Sequence, residues 1–305
     1  MKNLNNPEHS GDNFVLPFQI EGNQLRGRLV RLSSTLDIIL EQHDYPTVVG
    51  QLLAEAMVVA AALGNALKYD GLFTLQVQSD GPVSLLVADV QSDGGIRAYA
   101  RFDAERLASG AKLLGAGYLA FTVDQPLRED RYQGIVELQG DGLATAVQHY
   151  FRQSEQIATG IKVAVQQDIV GRWHGGCLLL QQMPKEGGFR PANDTGREDD
   201  WHRAMLLMET CSPEELTDAA LSAEDLLFRL FHEDGVRVYE AKPFRHECRC
   251  SEAKVVNVLR SLPQSEVEAM AVNGVVSVSC EFCNRSYLFD TARRQEIFAA
   301  IASDQ

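Results

Sequence analysis

The chain has 305 residues, of which 45% are hydrophobic and 23% charged, and its formal net charge is −14. At roughly 150 residues per domain this length predicts about two domains, with enough chain for a core that needs no disulfide support. The acidic balance argues against a broad phosphate-binding surface and against docking on an anionic leaflet, since both call for a basic stripe.

Residues 1–12 are polar, contain Pro7 and Gly11, and read as a loose tail with no apolar run of the secretory kind. The longest apolar stretch, around 54–67, is broken by Glu55, Gly64 and Asn65 and reads as too short and too polar to span a membrane. A cytoplasmic protein is therefore expected. In a reducing compartment, grouped cysteines are more often metal ligands or redox centres than structural disulfides.

Segment 46–68 is the best helix candidate: Val49, Leu52, Leu53, Ala56, Ala60, Leu63 and Leu67 recur at helical steps, and Pro46 suits a first turn. Its many small residues predict a closely packed core helix. Alternation of Phe73, Leu75 and Val77 with polar residues predicts a strand over 72–78. Further strands are predicted over 83–90 and 96–102. Short turns at 79–82 and 92–95 join these three into an antiparallel meander. Strands are also predicted over 117–124 and 132–139, near 161–165 and over 176–183. A helix carries Leu143, Ala146, Val147, Tyr150 and Phe151 on one face.

The composition then changes. Residues 183–200 combine Pro, Gly, Asn and Asp and read as a linker. Between Asp194 and Asp234 lie 12 acidic and 3 basic residues, a net of −9, so this segment holds most of the chain's charge. Ser212 reads as an N-cap with Pro213 at the first helical position and acids in the first turn. Like charges at helical spacing cost stability, so the helices here are expected to be marginal unless docked. They are either a solvated pair of surface helices or an element that unfolds conditionally.

Four of the six cysteines fall in the last sixty or so residues. Cys248 and Cys250 form a C-x-C pair, 29 positions intervene, and Cys280 and Cys283 form a C-x-x-C pair. Helices are predicted over 253–262 and from Pro263 to Met270. A hairpin that turns at CEFCNR follows, and then a final helix capped by Asp290, with Ile297, Phe298 and Ile301 on its apolar face. Two pairs brought together by such a unit have the ligand count for one tetrahedral Zn²⁺, and a region this small gains from a metal's folding free energy. Four protein ligands leave no open position, so a hydrolytic site is not expected. His246 is a competing ligand that four thiolates make unnecessary. Arg245, Arg249, Lys254 and Arg285 are close enough in sequence to help offset the site's negative charge. Thiolates are also what oxidants attack, and each pair is spaced to close a local disulfide. The constellation therefore admits either a permanent structural zinc or an oxidant-triggered switch. Cys177, in an apolar run, and Cys211 are assigned no function.

The order of these features resembles the heat-shock protein 33 family, also called the 33 kDa chaperonin, the redox-regulated holdases of the bacterial cytosol. The resemblance covers the chain from about Phe14 to about Phe298. It is carried by RGRLVRL (26–32), HDYP (43–46), LLAEAM (52–57), DGPV (80–83), YQGIVEL (132–138), YFRQSEQ (150–156), GGCLLLQQMP (175–184) and LLFRLFHED (226–234). HECRC (246–250) and CEFC (280–283), followed by YLF (287–289), complete it. The resemblance implies an α+β fold in three parts. These are an N-terminal α+β chaperone domain over 1–184, an acidic, metastable helical linker over 185–235 and a C-terminal zinc-binding redox-switch domain over 236–305. It also implies that Cys248, Cys250, Cys280 and Cys283 hold one zinc in a reduced, inactive state. Oxidation would form Cys248–Cys250 and Cys280–Cys283, release zinc and unfold the linker. The product would be an ATP-independent chaperone that holds unfolding client proteins, as a homodimer, in the cytoplasm under oxidative stress. Apolar contact is then expected from Leu206, Leu207, Leu226, Leu227 and Phe231. No nucleic-acid or membrane partner and no enzymatic activity is expected: no Ser/His/Asp set, phosphate loop or carboxylate pair is evident, and His43, His149, His174 and His202 are scattered. Two other classes fit the cysteines less well. One is a static zinc ribbon that docks a partner or nucleic acid. The other is a thiol–disulfide oxidoreductase acting through Cys280 and Cys283, for which a βαβ context is missing.

Overall fold

In the computed structural model the described residues are 12–22, 25–67, 69–125, 132–138, 142–182 and 195–303. The tail expected over 1–12, except Asp12, and residues 183–194 of the expected linker lie outside them. So does the side chain of Ile301.

Strands β1 (Phe14–Ile20) and β2 (Leu25–Leu32) open the chain, followed by helices α1 (Ser34–Leu40) and α2 (Thr47–Ala66). The meander is β3 (Leu72–Ser79), β4 (Val83–Gln91) and β5 (Gly95–Phe102). Next come α3 (Ala104–Ala108), β6 (Gly117–Asp124) and β7 (Tyr132–Glu137). Helix α4 (Leu143–Tyr150) runs into a π-helical turn, Phe151–Glu155, before β8 (Thr159–Gln167) and β9 (Trp173–Gln182). The acidic segment forms α5 (Thr195–Thr210), α6 (Pro213–Thr217) and α7 (Ala223–Phe231). Three short strands follow, β10 (Val236–Val238), β11 (Lys242–Pro243) and β12 (Arg245–His246). The chain ends in α8 (Glu252–Arg260), α9 (Gln264–Ala269), β13 (Val276–Ser279), β14 (Ser286–Phe289) and α10 (Thr291–Ser303). The fold is α+β, as expected.

By packing, the chain divides into two compact units, Met1–His246 and Glu247–Gln305. The larger holds two mainly antiparallel sheets. One runs β10-β1-β2-β9-β8, with β11 also paired to β1; the other runs β12-β5-β4-β3-β6-β7. Residues 236–246 thus add edge strands to both sheets, and β12 pairs with β5 in parallel. Strands β1 and β2 are not among those predicted above, although Pro17, Gln19, Arg26 and Arg28 do alternate with the buried Leu16, Phe18, Ile20, Leu25 and Leu29; only the buried Arg31 breaks the pattern.

Helix α2 is buried from Val49 to Gly64 except at Gln51 and Glu55, and its residues share one core with those of both sheets. A helix apolar on nearly every side needs such an all-round burial. The same feature corrects the membrane reading above. At 20 residues and a mean hydropathy of 1.7, α2 is long and apolar enough to cross a bilayer, but 78% of that window is buried inside the protein. Burial, not insufficient length, accounts for it.

The sheet that contains β9 is covered on both faces. Cys177 and Leu179 point into the core around α2, whereas Leu178 and Leu180 join Leu16, Phe18, Ile20 and Leu29 in a second core. The linker helices close this second core with Leu216, Leu226, Leu227 and Phe231, all fully buried, and Phe231 stacks on Phe18 at 6.0 Å. Double coverage is why CLLL is a continuous apolar run rather than an alternating one. Leu206, by contrast, remains exposed.

In the smaller unit, α8, α9, α10 and the β13–β14 hairpin surround Leu259, Val267, Val276, Phe289 and Ile297. The buried Arg294 guanidinium donates to the Gly274 carbonyl at 2.9 Å, the Phe289 carbonyl at 2.8 Å and Glu268 at 2.8 Å. It thereby ties the turn, β14 and α9 together. Five buried apolar side chains among the described residues make a small core for an independent unit.

Candidate metal centre

The four C-terminal cysteines come from two loops. Cys248 and Cys250 lie on the extended segment before α8, whose N-terminus Ser251 caps by accepting from the Lys254 amide at 3.3 Å. Cys280 and Cys283 lie in the turn between β13 and β14. That turn is closed by Cys280 N–H donating to Arg285 O at 2.9 Å and Asn284 N–H donating to Cys280 O at 2.8 Å, with Asn284 in the left-handed region at φ 54°. Asn tolerates that conformation better than most residues. The two loops bring all four sulfurs within 4.8 Å of one another. Cys248 Sγ is 3.7 Å from Cys280 Sγ, and Cys250 Sγ is 3.4 Å from Cys283 Sγ.

These separations test the fit to a metal. A tetrahedral ion with metal–sulfur bonds of about 2.3 Å requires sulfur–sulfur edges of about 3.8 Å. The four sulfurs already sit near that spacing, and all four residues are half-buried. His246 lies outside the cluster. It pairs with Ile96 in β5, and its Nε2 is 3.3 Å from Gln42 Nε2.

The thiols differ among themselves. Burial raises Cys250, but the Tyr287 hydroxyl, donating to its Sγ at 3.2 Å, and the neighbouring thiols outweigh burial and bring it down to about 7. Burial pushes Cys283 up to about 12, helped by its hydrogen bonds to the other three thiols. Cys248 is also raised, chiefly by burial. One sulfur of the group is thus readily a thiolate, while burial holds back Cys248 and Cys283.

Of the cations that sequence placed near the site, Arg285 does attend it: its guanidinium is held charged by Tyr287 and by the fields of Cys250 and Cys283. Lys254 reaches the Arg249 carbonyl at 2.7 Å, beside the cluster. Arg245 instead pairs with Asp93 at 2.7 Å in the larger unit. Tyr287 was not singled out from the sequence as a partner of the site; its only signal is its place on the returning strand, four residues after Cys283. Cys177 is fully buried, and burial pushes its thiol up to about 12, which accounts for it as an inert core residue. Cys211 is likewise buried, among the linker helices, and raised by burial.

The family model for "Hsp33 protein" matches residues 13–290. A 33 kDa chaperonin of Caulobacter vibrioides (strain NA1000 / CB15N) is 41% identical over 292 residues, which cover 92% of this chain and 95% of that one. The chain belongs to the Hsp33 family. A second Hsp33-family relative, the 33 kDa chaperonin of Pseudomonas putida (strain KT2440), is 37% identical over 296 residues, 95% of each chain. Among solved structures, the 33 kDa chaperonin (heat shock protein 33 homolog) of Thermotoga maritima superposes with a TM-score of 0.82 at 22% identity. It covers 96% of this chain and 100% of its own. At that identity the likeness speaks to the Hsp33 fold. The relatives carry the name chaperonin and not that of an enzyme.

Proposed function

We propose that this chain is a redox-regulated, ATP-independent holdase chaperone of the cytoplasm, inactive when reduced and zinc-bound. The observation that carries the reading is the convergence of four thiols in a unit whose apolar core is too small to be robust alone. Family membership and the relatives' name support the chaperone part. A four-thiolate tetrahedral set selects zinc over harder divalent ions.

Bound zinc would keep Cys248, Cys250, Cys280 and Cys283 as thiolates and lend its binding free energy to the fold of the small unit. A peroxide then takes two electrons from Cys248 and Cys250, which form one disulfide, and a second peroxide takes two from Cys280 and Cys283. Each peroxide accepts two protons from solvent and leaves as two waters. All four donors are lost, and with them the hold on the metal.

The remaining step concerns the linker. The segment 194–234 carries a net charge of −9, and the apolar faces of its helices cover Leu16, Phe18, Ile20, Leu29, Leu178 and Leu180. Unfolding of this segment would bare both apolar surfaces to unfolding client proteins, while the linker's charge opposes aggregation. The three-part division into a chaperone domain over 1–184, a linker over 185–235 and a switch domain over 236–305 belongs to this proposal. So do a homodimeric active form and the lack of nucleic-acid, membrane and catalytic roles.

The test is client aggregation at mild heat, with and without prior peroxide, and without ATP. The expected result is that the reduced, zinc-loaded protein leaves the client to aggregate. The oxidised protein should suppress aggregation and yield Cys248–Cys250 and Cys280–Cys283 on peptide mapping. Equal suppression before and after oxidation would overturn the switch.

A further inference from the structure

Away from the cysteines, the larger unit holds a cavity of about 400 Å³ beside the π-helical turn Phe151–Glu155. That is toward the small end for a ligand pocket, and π-helical turns are frequent at functional sites. The walls are aromatic. Phe73, Phe121, Phe151, Tyr69, Tyr132 and Tyr150 line it. Phe121 meets Tyr150 edge-on at 5.0 Å, and Phe151 meets Tyr150 edge-on at 5.3 Å. Tyr150 can lie against β7 only because residue 134 is glycine, since a Cβ there would fall 2.2 Å from the phenol oxygen.

The polar groups of the cavity converge on one carboxylate. The Tyr132 and Tyr150 hydroxyls are 2.6 Å apart, and both donate to Glu155 Oε1, Tyr150 at 2.9 Å. Burial and the bond to Glu155 raise Tyr132, and burial and the bonds to Tyr132 and Glu155 raise Tyr150, so both phenols remain protonated donors to the carboxylate. No described residue donates to Glu155 Oε2. None of the described lining residues is Lys, Arg or His.

This composition discriminates by charge. An anion would face the Glu155 carboxylate with no cation among the described lining residues to offset it. A neutral apolar molecule would make no charge-assisted contact with the carboxylate. An ammonium group would answer Oε2 with a charge-assisted hydrogen bond, and the surrounding ring faces attract cations. We propose that this cavity binds a small organic ammonium ion with an apolar or aromatic body, its cationic group at Glu155 and its body among Phe73, Phe121 and Phe151. The site is separate from the thiol switch and does not depend on it.

Isothermal titration of the full-length reduced protein with three probes that share a phenethyl body tests this: phenethylammonium, 2-phenylethanol and 3-phenylpropionate. Expected is binding of phenethylammonium at least tenfold tighter than of the alcohol, with the carboxylate weakest. Glu155→Gln should weaken phenethylammonium at least tenfold, and Phe151→Leu should weaken it while keeping the wall apolar. Should a variant fail to fold, the charge series on the unmodified protein still decides. Equal binding of the three probes, no binding of phenethylammonium at millimolar concentration, or undiminished binding by a folded Glu155→Gln protein would each overturn the proposal.

Discussion

The Tyr287 hydroxyl donates to Cys250 Sγ at 3.2 Å, an acceptor that is weak as a thiol and strong as a thiolate. The bond therefore favours the thiolate form of that sulfur, and in the proposed zinc site it would orient one donor from outside the coordination sphere. Such outer partners are commonly worth ten- to a hundredfold in metal affinity. For the proposed zinc site, Tyr287→Phe should lower affinity by about tenfold and leave the stoichiometry unchanged. Competition with a chelator reads both; an unaltered affinity would mean that the hydroxyl contributes nothing to the hold. Burial explains the opposite behaviour of Cys177, whose fully enclosed thiol is pushed up to about 12 and so kept from reacting as a thiolate.

At the scale of elements, the linker's attachment to the sheet centres on Arg31 of β2. Its buried guanidinium donates to Leu216 O at 3.1 Å, to Glu215 O at 3.0 Å and to Leu221 O. These carbonyls belong to the end of α6 and the loop before α7. Burial lowers the Arg31 pKa, against the fields of Asp218, Cys211 and Glu224, which favour its charge. Beside it Gly176 of β9 admits the linker backbone, for a Cβ there would lie 2.7 Å from Leu216 O. Helix α6 is itself well closed: Ser212 and Glu215 form a reciprocal capping box around Pro213. Arg31→Leu leaves buried carbonyls without donors and should cost about 2–3 kcal/mol. Because the loss is confined to this attachment, hydrogen exchange across α5–α7 in the reduced, zinc-loaded protein should quicken by about thirtyfold or more, with metal content unchanged. Exchange as slow as in the parent would contradict a role for Arg31 in holding the linker.

For the whole molecule, what the sequence reveals depends on how local the determinant is. The C-x-C and C-x-x-C spacing, the Ser212 cap and the β3–β4–β5 meander are each set within a few residues, and all are legible. The pairing of β2 with β9 is long-range, and no local feature of either strand announces it. The attachment of 236–246 to two different sheets depends on backbone pairing that carries no side-chain signature in two- and three-residue strands. The apolar residues of the linker read equally well as exposed or docked. Only the fold assigns Leu226, Leu227 and Phe231 to a buried core and leaves Leu206 and Phe228 outside it. The proposed switch joins four sulfurs to a masked apolar surface. It is tested most directly by following zinc release and suppression of client aggregation in the same sample during oxidation by peroxide at mild heat. The expected result is that both rise together, with one zinc released per chain as chaperone activity reaches its plateau. Zinc release with no gain in chaperone activity, or full activity with the metal still bound, would contradict it.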